Sequence, residues 1–536
     1  MKTKTPETAA TISIDDLRTV SNRIDTEFTQ TFAGVFAQHR TWRKATAYTD
    51  ALTACDTPVK TCWELAEKAG HDTPGPFQSL IAENTWDHDE LWNRIATFAP
   101  QLLPCPADDP LGPGIAVDET AQLKRGHHTV ATGIQWAGCV GRKVNCVTSV
   151  FVSYITPQGS TWIAHGLFLP KKDWFTGTGA TGQARRTTAG VPDETVFETK
   201  PQIARRKFQE LRDLGVGFLW ATGDEVYGRY AALREDHENN GEAYAYFVPR
   251  DFLIPICAGS RHRADELAER ALGHVEVRSV GPGLNGPRWY EWTMIEAGTF
   301  QHFLLIRRPL SPPGKPTADS THAATSIQGT DTNIPDGTSF VYCFVPTASP
   351  IKPTLPNLVM MAGRRWPVEE TIATGKGPLG WDHHQYRTWT SVQHHTALCG
   401  LAMLKAIALR AHLENTAAFA FVSDTAQTPA EDIPIPQTDF PPPIPGRSSD
   451  THDEVMIPRG DSLIPVRPDQ PCPVEIGYIR LTLNETLRLV GIANAGLSRA
   501  RMAFHLRWSR WRRRHQAIAR WHHWRARLAT AQAAPA

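Results

Sequence analysis

Three acidic residues, far apart in the sequence, stand where rigid elements are predicted to begin or end. Asp118 ends a short apolar strand predicted over residues 114–118, and Asp224 directly follows a buried strand predicted over residues 217–223. Glu369 comes later, in a predicted helix. Strand ends are common places for sites in α/β proteins, because the scaffold is rigid and the side chain is exposed. Three separated carboxylates suit Mg²⁺ or Mn²⁺, which prefer oxygen ligands.

Basic residues flank Glu369 at a spacing that a helix could use. Arg365 precedes it by four residues and Lys376 follows it by seven, so a helix over all three would present them on one face. Gly375 could end that helix just before Lys376. Adjacent helical residues point about 100° apart, so only one of Glu369 and Glu370 can face a site, and the basic register selects Glu369. The two basic side chains could hold phosphates beside a metal site.

Acidic neighbours also flank the two aspartates. Glu119 follows Asp118 and Glu225 follows Asp224. Because neighbouring residues on a strand face opposite sides of the sheet, one acid of each pair should be structural or on the surface.

The elements around these acids alternate between strand and helix. From residue 113 onward the pattern predicts strand, two strands, helix, strand, helix, strand, and then a β-rich segment before the helix of Glu369. The strands are predicted over residues 114–118, 144–155, 161–169, 217–223, 244–248, 275–278, 289–295, 300–307 and 340–345, and the helices over residues 201–214, 231–239, 368–374 and 395–413. This order predicts a mixed α/β sheet flanked by helices.

The region before residue 113 is predicted to be helical. A short helix ending at Gly70, a Gly/Pro turn and a second helix over residues 77–83 have the outline of a helix-turn-helix, or of an ordinary helical hairpin. Residues 86–90 are typical of an N-cap that opens a further helix. Both interpretations of the hairpin remain open.

The chain divides into six predicted regions. They are a helical, DNA-binding region (1–112), a catalytic domain in two parts (113–260 and 351–423), a β-rich insertion (261–350), a Pro-rich linker (424–475) and a basic helical region (476–536). A polar loop is predicted inside the insertion at 309–337.

Composition and charge restrict the class of protein. Hydrophobic residues make up 41% and charged residues 21%, which is typical of a globular chain. No run of 18 apolar residues and no apolar leader is present, so we expect neither a membrane span nor a secretory signal. The nine cysteines form no CxxC pair, which fits a reducing cytoplasm better than a zinc ribbon or a disulfide framework.

The net charge of +1 hides a strongly basic carboxyl end. No Asp or Glu follows Glu485, and arginines alternate there with tryptophans, which favours phosphate binding together with stacking or packing. The same tryptophans could simply be core residues with the arginines outside. The arginines are Arg488, Arg499, Arg501, Arg507, Arg510, Arg512, Arg513, Arg514, Arg520, Arg525 and Arg527.

Other chemistries find less support in the sequence. Two GxGxxG strings, at 177–182 and 281–286, are predicted to be loops, because neither joins a strand to a helix as a dinucleotide site requires. Histidine pairs at 127–128, 383–384 and 394–395 lack zinc-protease spacing and are expected on the surface or facing DNA. No GxSxG elbow indicates a serine hydrolase. A two-carboxylate glycosidase would not explain the basic register or the basic end.

An ordered set of segments resembles the DDE-superfamily transposases of bacterial insertion sequences, in the group with an Arg-x3-Glu-x6-Lys signature. Arg365, Glu369 and Lys376 have that spacing, although Ala362 stands where a tyrosine is common. The similar segments lie in the same order over about residues 60 to 525. They are residues 117–120 with Lys124 and Gly126, 141–142 with 145–146, 167–170 with Trp174, 189–192, 197–201, 222–228, 380–389 and 508–516.

The resemblance implies a ribonuclease-H-like catalytic domain with a helical amino-terminal domain and a β-rich insertion before the glutamate helix. Asp118, Asp224 and Glu369 would be the catalytic residues and the ligands of two Mg²⁺ (or Mn²⁺) ions. The implied substrates are the terminal inverted repeats and target DNA, and the implied assembly is a homodimer on DNA. The implied location is the bacterial cytoplasm at the nucleoid, with no membrane partner. The expected DNA-binding residues are Arg365, Lys376, Lys124, Arg387, Arg512, Arg513 and Arg514.

The implied reaction is cut-and-paste transposition. Hydrolysis at each end of the element would free a 3′-hydroxyl, which would then attack target DNA by in-line displacement. The alternative is a domesticated or inactive DNA-binding protein derived from a transposase, although the intact acids favour an enzyme.

Overall fold

The computed structural model describes residues 14–53, 59–176, 182–257, 260–270, 275–283, 286–298, 301–310, 337–415, 455–459, 462–466, 481–494 and 499–532. The predicted loop at 309–337 and linker at 424–475 lie largely outside these residues, as does most of the first GxGxxG string.

The amino-terminal region is helical, as predicted. Asp87 forms an N-cap by accepting from the backbone N–H groups of Asp89 and Glu90, which satisfies donors that the first turn would leave unpaired. The predicted short helices on either side of the Gly/Pro turn are also present. The helices are α1 Ile14–Phe32, α2 His39–Thr53, α3 Cys62–Lys68, α4 Gly75–Ala82 and α5 His88–Leu102, with a 3₁₀ turn at Ala33–Val35.

The region after residue 113 begins with six strands, β1 to β6, whose order defines the fold. The long strand β3 pairs antiparallel with β1 on one side and with β2 and β4 on the other, while β5 and β6 continue the sheet parallel to β1. Three antiparallel strands beside two parallel ones are the pattern expected of a ribonuclease-H-like sheet. The bounds are β1 Gly114–Leu123, β2 Gly133–Ala137, β3 Arg142–Thr156, β4 Gly159–Phe168, β5 Trp220–Gly223 and β6 Ala243–Val248.

The β-rich segment extends this same sheet. Its strands follow β6 in the order β12, β11, β10, β9, all antiparallel, so that one ten-stranded sheet results. The strands are β7 Leu253–Cys257 and β8 Ser260–Arg263, which form a separate hairpin, and β9 Glu276–Gly283, β10 Gly286–Glu296, β11 His302–Pro309 and β12 Ser339–Phe344. The second GxGxxG string was predicted to be a loop, but residues 281–283 end β9 and Gly286 begins β10, and the two residues between them lie outside the described residues.

Helices cover the two faces of the sheet. The helices after the amino-terminal region are α6 Lys171–Trp174, α7 Gln183–Ala189, α8 Lys200–Asp213, α9 Glu225–Gly228, α10 Ala231–Asn239, α11 Ala264–Arg270, α12 Leu355–Gly363, α13 Trp366–Lys376 and α14 Trp389–Asn415. Apolar residues of α8 (Ile203, Phe208 and Leu211) are buried, as their helical spacing predicted. The mixed sheet flanked by helices confirms the predicted fold class.

Helix α14 is the central helix of the molecule. It packs against β4 and against α1, α2, α4 and α5, so it joins the amino-terminal region to the sheet. By length and composition it is, among the described helices, the one that could cross a membrane, but 83% of its most apolar window is buried inside the fold. Its apolar character is therefore explained by its position in the core.

The carboxyl-terminal region is helical, as predicted, with α15 Leu483–Asn494 and α16 Arg499–Gln532. Within the predicted linker, the described residues include an antiparallel hairpin, β13 Val455–Arg459 and β14 Ser462–Val466.

Some predicted boundaries are wrong. Strand β1 does not end at Asp118 but continues to Leu123, because Asp118 keeps its antiparallel partner Phe151 and the following residues pair up to Cys146. Helix α14 begins at Trp389, six residues before its predicted start. Strand β5 is shorter than predicted and begins at Trp220.

Candidate metal centre

The two aspartates are neighbours because their strands are parallel. Val117 of β1 pairs with Gly223 of β5. Asp118 and Asp224 directly follow these two residues, so they lie side by side. Asp118 lies within β1, whereas Asp224 ends β5 and caps α9, where its Oδ1 accepts from the backbone N–H of Val226 at 2.9 Å. The parallel pairing therefore brings together two carboxyl groups that are 106 residues apart in the chain.

A third carboxylate lies beside them. Asp118, Glu119 and Asp224 each offer an oxygen, and these oxygens all lie within 4.8 Å of one another. Among the described residues, this is the group of acids close enough to share a metal ion. Hard oxygen donors converging at this spacing suit a divalent cation such as Mg²⁺ or Mn²⁺.

Glu119 is held by two partners on its own side of the sheet. Lys200 Nζ lies 2.7 Å from one carboxylate oxygen, and the Tyr227 hydroxyl donates to the other at 2.8 Å. The sequence prediction assigned Glu119 a structural or surface position, and these contacts are structural, but the carboxylate also joins the acidic group. Lys200 and Tyr227 were not singled out from the sequence, although both lie in segments, 197–201 and 222–228, that carry the family resemblance.

Arg365 connects Glu369 to the aspartates. Its Nη1 donates to Oδ2 of Asp118 at 3.2 Å, and its Nη2 contacts Oε1 of Glu369. Glu370 is exposed and accepts from the indole N–H of Trp366, so it faces away from the acids. Glu369 thus reaches the acidic group through a guanidinium that binds both carboxylates.

Burial and mutual repulsion make the acids reluctant to ionise. Burial raises the pKa of Asp118 well above its usual range; Arg365 opposes this shift, while Asp224, Glu119 and Glu369 add to it. Burial, with the charge of Glu119, raises the pKa of Asp224 to about 7. The arrangement concentrates more negative charge than the surrounding protein neutralises, and a cation would relieve it.

Helix α13 places Glu369 and Lys376 on one face because it continues past Gly375. A Cβ at Gly375 would lie 2.1 Å from the indole ring of Trp162 on β4, so only glycine lets the helix approach the sheet this closely. The helix ends at Lys376, whose ammonium donates to the carbonyl of Ala121 at 2.6 Å. Lys376 therefore contacts β1 at Ala121, three residues along that strand from Asp118.

The other expected DNA-binding residues are spread over two surfaces. Lys124 donates to the carbonyl of His384 at 2.8 Å, and burial lowers its pKa to about 8. Arg387 is exposed. In the carboxyl-terminal region, Arg512 forms a two-pronged ion pair with Glu485, while Arg513 and Arg514 are half-buried on the same helix. The structure brings Arg365 to the acids and Lys376 to Ala121, on the strand of Asp118. Lys124 directly follows that strand, and the remaining residues lie on other parts of the structure.

The expectation for the histidine pairs was wrong for His384, His394 and His395. All three are buried. His395 contacts the Tyr48 hydroxyl at 2.8 Å, and the ring nitrogens of His394 lie 3.0 Å from the carbonyl of Ile81 and 3.1 Å from that of Trp86. Desolvation lowers the pKa of each ring. They tie α14 and the segment before it to the amino-terminal helices.

The acidic group lies in a part of the chain that matches a known family. A family model described as DDE superfamily endonuclease matches residues 28–261, which include Asp118, Glu119 and Asp224. This part of the chain is similar to the DDE superfamily of endonucleases, which supports the predicted resemblance to DDE-type transposases. Arg365, Glu369 and Lys376 lie beyond the matched residues. No curated protein matches the chain.

Proposed function

We propose that this protein is the transposase of an insertion sequence, which cleaves the ends of its element and joins the freed 3′-hydroxyls to target DNA. The observation that carries the proposal is the convergence of Asp118 and Asp224 on adjacent parallel strands, with Glu369 attached through Arg365. Strand β1, the end of strand β5 and helix α13 supply these groups from a rigid scaffold, as a reaction that depends on positioning requires.

The donor set fits a divalent cation. Oxygens of Asp118, Glu119 and Asp224 lie within 4.8 Å of one another, and Glu369 is linked to Asp118 through Arg365. Asp118, Asp224 and Glu369 would hold the cation, and Glu119, already bound to Lys200 and Tyr227, would add negative charge beside it. Bound there, two Mg²⁺ or Mn²⁺ ions would supply the charge that activates a water or 3′-hydroxyl and neutralises the leaving oxygen.

The basic residues of α13 would position the phosphate. Arg365 donates hydrogen bonds to Asp118 and Glu369, and Lys376 donates one to the carbonyl of Ala121. A phosphate oxygen is a stronger acceptor for these side chains than a carbonyl, so both would turn towards the scissile group when DNA arrives. The chain thus orients the phosphate and balances its charge, and it supplies no covalent nucleophile.

The two ends of the chain would bind the ends of the element. Helices α3 and α4 form a helix–turn–helix outline, and α16 carries arginines with no acid after Glu485. Both ends must be cut together, so the active assembly would be a homodimer on DNA, in the bacterial cytoplasm at the nucleoid. The phosphate contacts would come from Lys124, Arg387, Arg512, Arg513 and Arg514.

The test uses the DNA that flanks the gene. Short inverted repeats bracketing the reading frame would be placed on a labelled duplex, and the full-length protein would be assayed for binding and for cleavage with Mg²⁺ or Mn²⁺. Asp118→Asn, Asp224→Asn and Glu369→Gln should each abolish cleavage and leave binding largely intact. Glu370→Gln is the matched control: it lies next to Glu369 but is exposed, and it should cleave like the unaltered protein.

The outcomes separate the proposal from its alternative. Full cleavage in any of the three acid variants would remove that residue from the site. Specific binding by the unaltered protein without cleavage under any metal condition would favour a domesticated DNA-binding protein. Products with 3′-hydroxyl ends joined to a second duplex would identify strand transfer.

A further inference from the structure

The hairpin formed by β2 and the start of β3 exposes apolar side chains. On β2, Ile134 and Trp136 alternate with buried residues and are 65% and 53% exposed. Strand β2 lies at the edge of the main sheet and pairs only with β3 among the described strands. An exposed tryptophan and isoleucine on one short strand are unusual enough to indicate a binding surface.

The charged residues in this part of the sequence are all basic. Residues 120–172 contain no Asp or Glu. Opposite the apolar pair, Lys143 is the cross-strand partner of Trp136, and Arg142 precedes it; both side chains are exposed. Neither forms an ion pair with a described residue. Asp173, the first acid after this stretch, lies at the base of β2 beside Gly133.

The hairpin faces the same way as the metal centre. Cross-strand partners point to the same side of a sheet, and side chains two apart on a strand do too. Asp118 pairs with Phe151 and Trp136 pairs with Lys143, and the even spacing of eight residues along β3 places all four side chains on one face. The hairpin and Asp118 therefore lie on one side of the sheet, and the β3 side chains between them on that side, Val147, Ser149 and Phe151, are buried under other elements.

The separation suits a DNA duplex. Eight residues of strand, at about 3.3 Å each, extend roughly 26 Å. At about 3.4 Å per base pair this corresponds to roughly 8 base pairs. We propose that this hairpin binds the DNA duplex flanking the scissile phosphate, with Lys143 on a phosphate and Trp136 and Ile134 against the minor-groove sugars on the same face. Arg142, the first residue of β3, points to the opposite face and would reach a phosphate from the tip of the hairpin. The inference deepens the proposed function and rests on it.

The first experiment measures binding to the flanking duplex as a function of salt. Arg142→Ala/Lys143→Ala should lower the affinity and reduce the slope of log K against log salt by about 2, because each lost phosphate contact removes about 0.9. Arg261→Ala/Lys352→Ala is the matched control, since both side chains are exposed on other elements. This control variant should change the slope of log K against log salt by less than the about 0.9 expected for one phosphate contact.

The second experiment locates the DNA. A photo-crosslinking amino acid at position 136 should attach to the duplex about 8 base pairs from the cleavage site, and shortening the flank to 4 base pairs should abolish the crosslink. Trp136→Ala should weaken binding of the long flank but not of the short one.

Three outcomes would overturn the inference. The double variant could retain the unaltered slope, the crosslink could fall elsewhere, or the substitutions could dissociate a dimer in sedimentation without changing DNA affinity, which would assign the surface to a second copy of the chain. If the unaltered protein cleaves DNA while any of these is observed, the hairpin assignment fails and the proposed function stands. If the unaltered protein neither binds nor cleaves DNA, both fail.

Discussion

Arg365 donates a hydrogen bond to Asp118 at 3.2 Å, although 247 residues separate them in the chain. The same guanidinium contacts Glu369, and the combined charge of Glu369, Asp118 and Asp224 raises the pKa of Arg365 despite its burial. One fixed positive charge thus partly neutralises a group of acids that would otherwise repel one another. The contact also holds α13 against β1, so it has both an electrostatic and an architectural effect.

Replacing Arg365 should make the protein more dependent on metal. Arg365→Gln leaves Asp118 and Glu369 without their cationic partner, and we expect a loss of about 1–3 kcal/mol in the free energy of unfolding in the presence of a chelator. Added Mn²⁺ should raise the melting temperature more in this variant than in the unaltered protein. Calorimetry with chelator and with Mn²⁺ measures both effects.

The neighbouring Arg364 provides the control. It pairs with Asp109, away from the acids, so Arg364→Gln should also destabilise the protein but leave the Mn²⁺-induced shift unchanged. Equal Mn²⁺ shifts in Arg365→Gln and the unaltered protein would contradict the electrostatic role of Arg365.

Metal binding should depend on pH through Asp224. Its folded-state pKa of about 7 lies above the value of about 4 in an unfolded chain, so the folded protein binds the extra proton between these values. Without metal, the stability contributed by this group therefore falls as the pH rises from 4 through 7. A cation needs the ionised form, so stabilisation by Mn²⁺ should grow over the upper part of that window.

The measurement is the melting temperature with and without Mn²⁺ at several pH values between 5.5 and 8.5. The Asp224→Asn variant is the reference. Subtracting its melting temperatures from those of the unaltered protein removes the pH dependence that buried histidines contribute, such as His165, whose pKa burial lowers to about 3. A Mn²⁺-induced shift that is as large at pH 5.5 as at pH 8 would show that Asp224 does not control the binding.

Gly375→Ala tests the close approach of α13 to the sheet. The new methyl group would overlap Trp162, which is fully buried, so the helix must move and we expect a loss of about 1–3 kcal/mol. Cleavage should fall as well, because Glu369 moves with the helix. Gly217→Ala is the control: its Cβ meets nothing within 4 Å, and it should unfold at the same denaturant concentration as the unaltered protein.

Arg512 and Arg514 should have different effects when replaced. Arg512 pairs with the buried Glu485, so Arg512→Ala should cost about 1–3 kcal/mol in stability by leaving that carboxylate unpaired. Arg514→Ala should leave the melting temperature within about 1 °C and weaken DNA binding. The opposite pattern would show that Arg514 has the structural role, and thermal unfolding with binding assays distinguishes the two.

The sequence predicted the elements that carry the acids because their patterns are local. Strand β5 is a short buried run that Asp224 follows, and Pro367 near the start of α13 marks a first turn. The spacing of Arg365, Glu369 and Lys376 indicated one helical face, which α13 presents. Such features depend on residues within a few positions of one another, so they can be recognised without the fold.

Long-range pairing could not be predicted in the same way. The place of Glu119 in the acidic group depends on the register of β1 with β5 and on Lys200 and Tyr227, which lie 81 and 108 residues away. The burial of His394 and His395 depends on α14 packing against the amino-terminal helices. Polar residues such as these are expected on the surface unless their partners are known.

The antiparallel strands that extend the sheet past β6 set a limit on how the protein can be shortened. Strand β12 pairs with β6 from Phe340 to Phe344, and it covers backbone donors and acceptors along that strand. A truncated protein without this extension would leave β6 as an unpaired, apolar strand edge that could pair with another chain. A minimal soluble fragment must therefore keep the segment, or replace it with a charged strand that blocks such self-association.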